Sequence, residues 1–343
     1  MKKLVSILVA VCMVFVMTSC ETAEDKQNKV IDQKPLVAVV IDEGGIGDTS
    51  FNDEVLRSLE KAKEDYDIEI RCIEAEDGNN YEKEIQDAVY EDAVIVIAAG
   101  SHMGDAIKNV AAENPDKYFG IVDSYITGDN ILSISFADNE SGFLAGYAAG
   151  KTTKTNKVAI VAGEERETVD LYRYGFEAGL KMANADADLE VEYANTFLDS
   201  KKGYKIAKKL IDKEDVDVIF HVAGATGKGV IEACEEKGVW AIGADKDQSA
   251  LAKDTVLCSA VKDMEDGLYK MIDMAMGKDK FEGGHSLFGI YEDGVKLTDA
   301  GENLPKGLAE KLEELSEEIK EGDLAIPDDQ ATLDYFLNNE LNK

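Results

Sequence analysis

Short apolar runs, near-continuous in Val, Ile and Ala, recur between longer amphipathic stretches, and this alternation limits the possible folds more than any other feature. A strand buried on both faces of a parallel sheet reads as an unbroken apolar run, whereas a half-exposed strand alternates. Strand candidates in the first half are 35–41, 68–75, 93–99, 118–123 and 131–137, several of them near-continuous in this way. Strand candidates in the second half are 157–163, 190–197, 216–224, 239–245 and 256–262. Helix-period segments lie between them. Val55, Leu59 and Ala62 share a face in 51–66, as do Tyr81, Ile85 and Ala88 in 81–92. The segments 167–184, 201–213 and 227–238 serve the second half. Alternating strand and helix predicts right-handed βαβ units, and two successive sets of strands predict an α/β protein of two Rossmann-like lobes. The polar stretch 149–157 is the expected seam.

Past Lys262 the pattern changes. An amphipathic helix is predicted over 263–278, a further strand or hairpin within 286–299, and a charged surface helix over 304–322 striped by Leu308, Leu312 and Leu315. The chain is therefore expected to cross between lobes more than once. The expected division is 35–150 plus 258–284 for the first lobe and 151–257 plus 285–343 for the second.

Residues 1–19 read as a signal peptide rather than fold. A basic "MKK" precedes the apolar "LVSILVAVCMVFVM", which is short for a membrane span. "MTSC" closes it and resembles the bacterial lipobox, in which cleavage precedes a cysteine that carries diacylglycerol; here that is Cys20. The alternative is an ordinary secretory signal with an incidental cysteine. Residues 20–34 then form a polar tether, and a soluble domain anchored outside the cytoplasmic membrane is expected. Cys72, Cys234 and Cys258 remain, each in an apolar segment without metal-site spacing, so buried thiols are expected. A formal net charge of −33 disfavours nucleic acid and anionic lipid surfaces as partners.

Ligands of open α/β sheets bind beyond the carboxyl ends of strands. Two facing lobes would therefore bring Asp42, Gly100, Asp123, Gly163, Gly224, Asp245 and Lys262 around one cleft. The loop "IDEGGIGDTSFND" (41–53) leaves the first strand with glycines but lacks a Walker A lysine, and it matches neither G-x-G-x-x-G nor a Ca²⁺ loop. Asp42, Glu43, Asp48 and Asp53 would repel a dianion there. A neutral, hydroxylated ligand suits these acids better, since carboxylates accept hydrogen bonds from vicinal hydroxyls. Asp48, Thr49 and Ser50 can cap the helix starting near Phe51, and capping is the preferred role for Asp48. Phe51 either points into the cleft or packs against the sheet. His102, His221 and His285 form no HExxH or Cys/His pattern, no G-x-S-x-G elbow is present, and catalysis is not expected. No cofactor or metal is implied.

Taken together, "GGIGDTSFND", "PDKYFGIVD", "SGFLAGYAAG", "FHVAGATGKGV", "WAIGADKDQ" and "VLCSAVK" resemble the basic membrane protein family across the mature chain. These are bacterial lipoproteins that serve as substrate-binding proteins of ABC importers, and they include purine-nucleoside receptors. The resemblance implies two hinged lobes closing on a nucleoside, with an ABC permease and ATPase as partners. It implies that Phe51 and Phe220 sandwich the base, Asn52 and Asp123 read its edges, and Asp245 clasps ribose hydroxyls. Lys262 and Asp42 complete the polar set, and Gly224 allows close backbone approach. Lys246 departs from the small residue usual before the second acid of "D-x-D-Q" and sits where it could alter the cleft rim. Rival readings are a sugar or other small-solute binder of the same fold, a surface receptor without transport, and a nucleoside hydrolase.

Overall fold

The computed structural model describes residues 34–75, 78–299, 301–339 and 341. The expected signal peptide, Cys20 and all of the tether but Lys34 lie outside the described residues.

The first sheet contains β1 (Leu36–Ile41), β2 (Glu69–Glu74), β3 (Ile95–Ala99), β4 (Phe119–Val122) and β5 (Ile131–Phe136). The second contains β6 (Lys157–Ala162), β7 (Asp188–Tyr193), β8 (Val218–Val222), β9 (Trp240–Asp245) and β10 (Val256–Lys262). These strands run parallel within each sheet. Two more strands complete the sheets: β11 (Gly284–Phe288) beside β5, parallel, and β12 (Val295–Thr298) beside β10, antiparallel. The sheet orders are β11-β5-β4-β3-β1-β2 and β12-β10-β9-β8-β6-β7. The fold is thus the expected pair of Rossmann-like α/β lobes.

The unbroken apolar runs have the cause assigned to them. In β1, Val37, Val39 and Ile41 enter a core shared by both lobes, while Ala38 and Val40 enter a second core on the opposite face of the sheet. Adjacent side chains point to opposite faces, so a strand covered on both must be apolar throughout. Helices α1 (Phe51–Tyr66) and α2 (Tyr81–Tyr90) bury the predicted stripes. Helix α3 (Gly104–Glu113) links β3 to β4.

Helix α4 (Asp138–Thr152) connects the lobes, and no amphipathic pattern announced it, because nearly every one of its residues is buried. It packs against α5 (Glu167–Ala183) at backbone distance. A methyl carbon placed on Gly146 would lie 2.0 Å from the Phe176 carbonyl oxygen, and one on Gly175 would lie 1.9 Å from that of Asn139. The glycines of "SGFLAGYAAG" thus form a helix contact surface. Helices α6 (Ser200–Glu214), α7 (Thr226–Lys237) and α8 (Glu265–Ala275) follow near their expected positions. Helix α9 (Leu308–Glu321) buries Leu308, Leu312 and Leu315 as expected, and α10 (Gln330–Asn339) buries Leu333 and Phe336. No helix among the described residues is long and apolar enough to cross a membrane.

The chain passes from the first sheet to the second through α4, returns after β10 and crosses again after β11. Three expected details differ. Residues 258–262 lie outside the first lobe expected for them, because β10 pairs with β9 in the second sheet. Residues 285–288, expected in the second lobe, instead form β11 of the first sheet. The segment 286–299 is also no hairpin, because its two strands join different sheets. An apolar run carries no label for the sheet it joins; register and pairing decide that. Cys234 and Cys258 are buried free thiols, and Cys72 is half-buried.

Candidate ligand-binding cleft

In both sheets the strand order reverses beside the first strand, between β1 and β3 and between β6 and β8. Such reversals open a crevice at the carboxyl ends of the strands. Here the two crevices face each other across a cleft of about 690 Å³ that is open to solvent on one side. Asp42 lines it from the end of β1, Gly100 to His102 from the end of β3, and Gly224 from the end of β8.

Asp123 follows β4 and Asp245 ends β9, equivalent places in the two sheets. Both adopt left-handed backbone, at φ 58° and 68°. Asp tolerates this conformation better than most residues. Lys262, at the end of β10, joins them. Its Nζ lies 2.5 Å from Asp123 Oδ2, 3.1 Å from Asp138 Oδ2 and 4.0 Å from Asp245 Oδ1. The rings of Phe51, Phe136 and Tyr172 surround the ammonium at 5.5–5.6 Å from their centroids. Burial opposes the charge on Lys262, but the three carboxylates outweigh it and hold the pKa above that of an ordinary lysine. Burial pushes Asp138 well above the usual carboxylate range, with Lys262 opposing. Asp123 Oδ1 is buried and accepts no hydrogen bond among the described residues, although its side chain lines the cavity. It is an acceptor available to a ligand.

The acids of the first loop largely hold the loop itself. Asp48 accepts the backbone N–H groups of Ser50, Asn52 and Asp53 at 2.8, 2.9 and 3.1 Å, the capping role assigned to it. Burial nevertheless raises its pKa to about 6. Asp42 Oδ1 accepts Gly44 N–H at 2.9 Å and Asn52 Nδ2 at 2.6 Å, and its other oxygen lies 3.7 Å from His102 Nε2. Burial lowers the pKa of His102, opposed by Asp42. Ser50 Oγ donates across the cleft to Asp245 Oδ2 at 2.5 Å.

Of the expected binding residues, the structure brings Asp42, Phe51, Asp123, Gly224, Asp245 and Lys262 to the cavity. Asn52 does not line it; the residue is buried beneath Asp42, to which its amide donates. Phe220 is a correction. It lies within β8, fully buried, stacked on Phe176 at 5.2 Å and edge-on to Tyr172 at 5.7 Å. The cleft begins at the last residue of that strand, Val222, so a ring two residues further in faces core. Phe197 lines the cavity instead, from the connection between β7 and α6. Gly163 admits it, because a methyl carbon there would lie 2.2 Å from the ring. The sequence does carry a signal for Phe197, an aromatic just past a strand and just before the Asp199 cap of α6. Tyr172 and Arg166 also line the cavity unanticipated, but Arg166 is committed to Glu164 at 2.6 Å.

Two like α/β lobes with a cleft between facing strand ends define the type I periplasmic-binding-protein-like fold. A solute-binding protein of an ABC transporter system from Aeropyrum pernix K1 has this fold, with a TM-score of 0.78 at 23% identity over 90% of this chain and 97% of that one. A carbohydrate transporter solute-binding protein from Agrobacterium radiobacter, solved with D-arabinose, gives 0.61 at 18% identity over 82% and 98%. These identities speak to the fold alone. The family model of PnrA-like ABC transporter substrate-binding proteins matches residues 35–330, and the chain belongs to that family. Relatives include the CD4+ T-cell-stimulating antigen of Listeria monocytogenes, 34% identical over 85% of this chain and 88% of that protein. Basic membrane protein A of Borreliella burgdorferi is 32% identical over 88% and 91%.

Proposed function

We propose that the chain is the extracytoplasmic substrate-binding lipoprotein of an ABC importer, anchored through Cys20, and that its lobes close on a nucleoside, with purines favoured. The carrying observation is the joint placement of Phe51, Phe197 and the acceptor-rich Asp42, Asp123 and Asp245 around one cavity. Aromatic faces bind any base, so edge contacts must supply specificity. In this reading Phe51 and Phe197 flank the base, Asp123 Oδ1 accepts from its edge, and Asp42 and Asp245 accept from ribose hydroxyls. Asn52 acts through Asp42. Lys262 holds the Asp123 and Asp245 carboxylates in place. Carboxylates dominate the cavity and its arginine is paired, so a nucleoside is favoured over a nucleotide. A permease and ATPase pair would read the closed form.

A sugar is the second reading, favoured by the D-arabinose bound to the Agrobacterium relative in fold. Isothermal titration with inosine, adenosine, guanosine, cytidine, ribose and D-arabinose separates the two. Tight binding of a nucleoside and none of the free sugars is expected; the reverse would overturn the reading. Incubation with inosine should release no hypoxanthine. Uptake of limiting nucleoside by a deletion strain distinguishes an importer component from a receptor, and mass spectrometry of the mature protein tests the lipid on Cys20.

A further inference from the structure

The loop from Gly44 to Ser50 does more than border the cavity. Its backbone is held from one side and gripped from the other. Asp53 accepts the N–H groups of Gly47 and Thr49 at 2.7 and 3.0 Å. Both residues have left-handed backbone, at φ 87° and 59°. Their carbonyls are then taken by the opposite lobe. Lys228 Nζ donates to the Gly47 oxygen at 2.5 Å, and Gln248 Nε2 donates to the Thr49 oxygen at 2.9 Å. Neither Lys228 nor Gln248 lines the ligand cavity.

The Gln248 amide is oriented by its surroundings. Its Oε1 lies 3.1 Å from the Ala244 backbone nitrogen, an obligatory donor, so oxygen must face that way and the NH₂ must face Thr49. His221 Nε2 lies 2.6 Å from the same oxygen, which assigns the proton to Nε2. Complete burial of His221 lowers its pKa to about 4 and keeps that tautomer neutral at ordinary pH. The backbone N–H of Gln248 donates to Ser259 Oγ at 3.2 Å. Three contacts thus aim one buried amide at one carbonyl of the other lobe.

We propose that Gln248 and Lys228 form a closure latch, which grips the Gly47 and Thr49 carbonyls and sets how long the closed form persists without touching the ligand. It rests on the reading that the cleft must open to admit a ligand, and it applies to any ligand. Backbone carbonyls have no charge to titrate and no side chain to lose, so the catch is independent of which solute fills the cavity.

The test uses Gln248→Glu and Lys228→Ala in the full mature domain. Glutamate keeps the acceptor for His221 and Ala244 but presents a carboxylate, not a donor, to the Thr49 carbonyl. Lys228 is surface-accessible, so its variant folds even if the buried substitution does not. Stopped-flow with inosine should show release accelerated by about tenfold in Gln248→Glu and severalfold in Lys228→Ala, with association changed by less than about twofold. Dyes on cysteines introduced at exposed Tyr90 and Lys213, one per lobe, should report a smaller closed population in both variants even without ligand. Wild-type release rates and wild-type lobe separation in Lys228→Ala and in whatever Gln248→Glu protein folds would overturn the latch. If the parent protein does not bind inosine, the nucleoside reading fails and the ligand-free lobe separation still decides this one.

Discussion

The Lys262 ammonium, carried by the second sheet, lies 2.5 Å from a carboxylate oxygen of Asp123, carried by the first. One buried ion pair therefore spans the cleft, and Asp138 at the start of the connecting helix closes on the same ammonium at 3.1 Å. Removing one partner of such a cluster leaves the others uncompensated in a dry site. Lys262→Met is expected to abolish ligand binding and to cost about 3–5 kcal/mol of stability at neutral pH by urea unfolding. The loss should shrink on acidification, as Asp123 and Asp138 take up protons. A variant within 1 kcal/mol of wild type would show the ammonium to be dispensable.

The two phenylalanines that compete for the role of second base plate make opposite predictions. Phe197→Ala should weaken nucleoside binding at least tenfold, or about 1.4 kcal/mol, with little change in stability, as should Phe51→Ala. Phe220→Ala should instead cost about 3–5 kcal/mol of unfolding free energy through the cavity it leaves beside Phe176. Titration calorimetry paired with urea unfolding distinguishes them.

Acid stability separates two buried groups of opposite sign. His221 has a folded pKa near 4, below its unfolded value, so its contribution is present above pH 6.5 and is lost as the pH falls toward 4. Asp48 has a folded pKa near 6, above its unfolded value, so its contribution is present below 3.8 and is lost as the pH rises through 6. Between neutrality and acid the two oppose each other. Asp48→Asn should therefore lose stability more steeply than wild type from pH 7 to 4.5, by about 2 kcal/mol, in urea titrations at the two pH values. Parallel slopes would show that Asp48 is ionised throughout.

The contact between α4 and α5 leaves no room for a side chain. Gly146→Ala and Gly175→Ala should each cost about 1–3 kcal/mol, because the new methyl meets a backbone carbonyl that cannot rotate away. Thermal and urea unfolding check this. Gly238→Ala makes a useful contrast, because nothing lies within 4 Å of the added carbon and the cost there is one of backbone conformation.

What the sequence determined by itself is local or periodic. Runs buried on both faces must be apolar throughout, so eight of the ten strands in the two main sets were legible as unbroken runs, while β2 and β7 sit at the sheet edges and alternate; the helix over 51–66 with its cap was legible too. The acids at the ends of β4 and β9 were legible too, because strand ends in such sheets are where ligands bind. Tertiary structure alone decided which sheet each late strand joined, since an apolar run pairs equally well with either. It decided α4, whose all-round burial erases the amphipathic signal, and it sent Phe220 inward and Phe197 outward, since a strand covered on both faces shows no polarity from which side-chain direction can be read. It also assembled the cluster of Lys262 with Asp123, Asp138 and Asp245, because charges far apart in the chain meet only where the two sheets do.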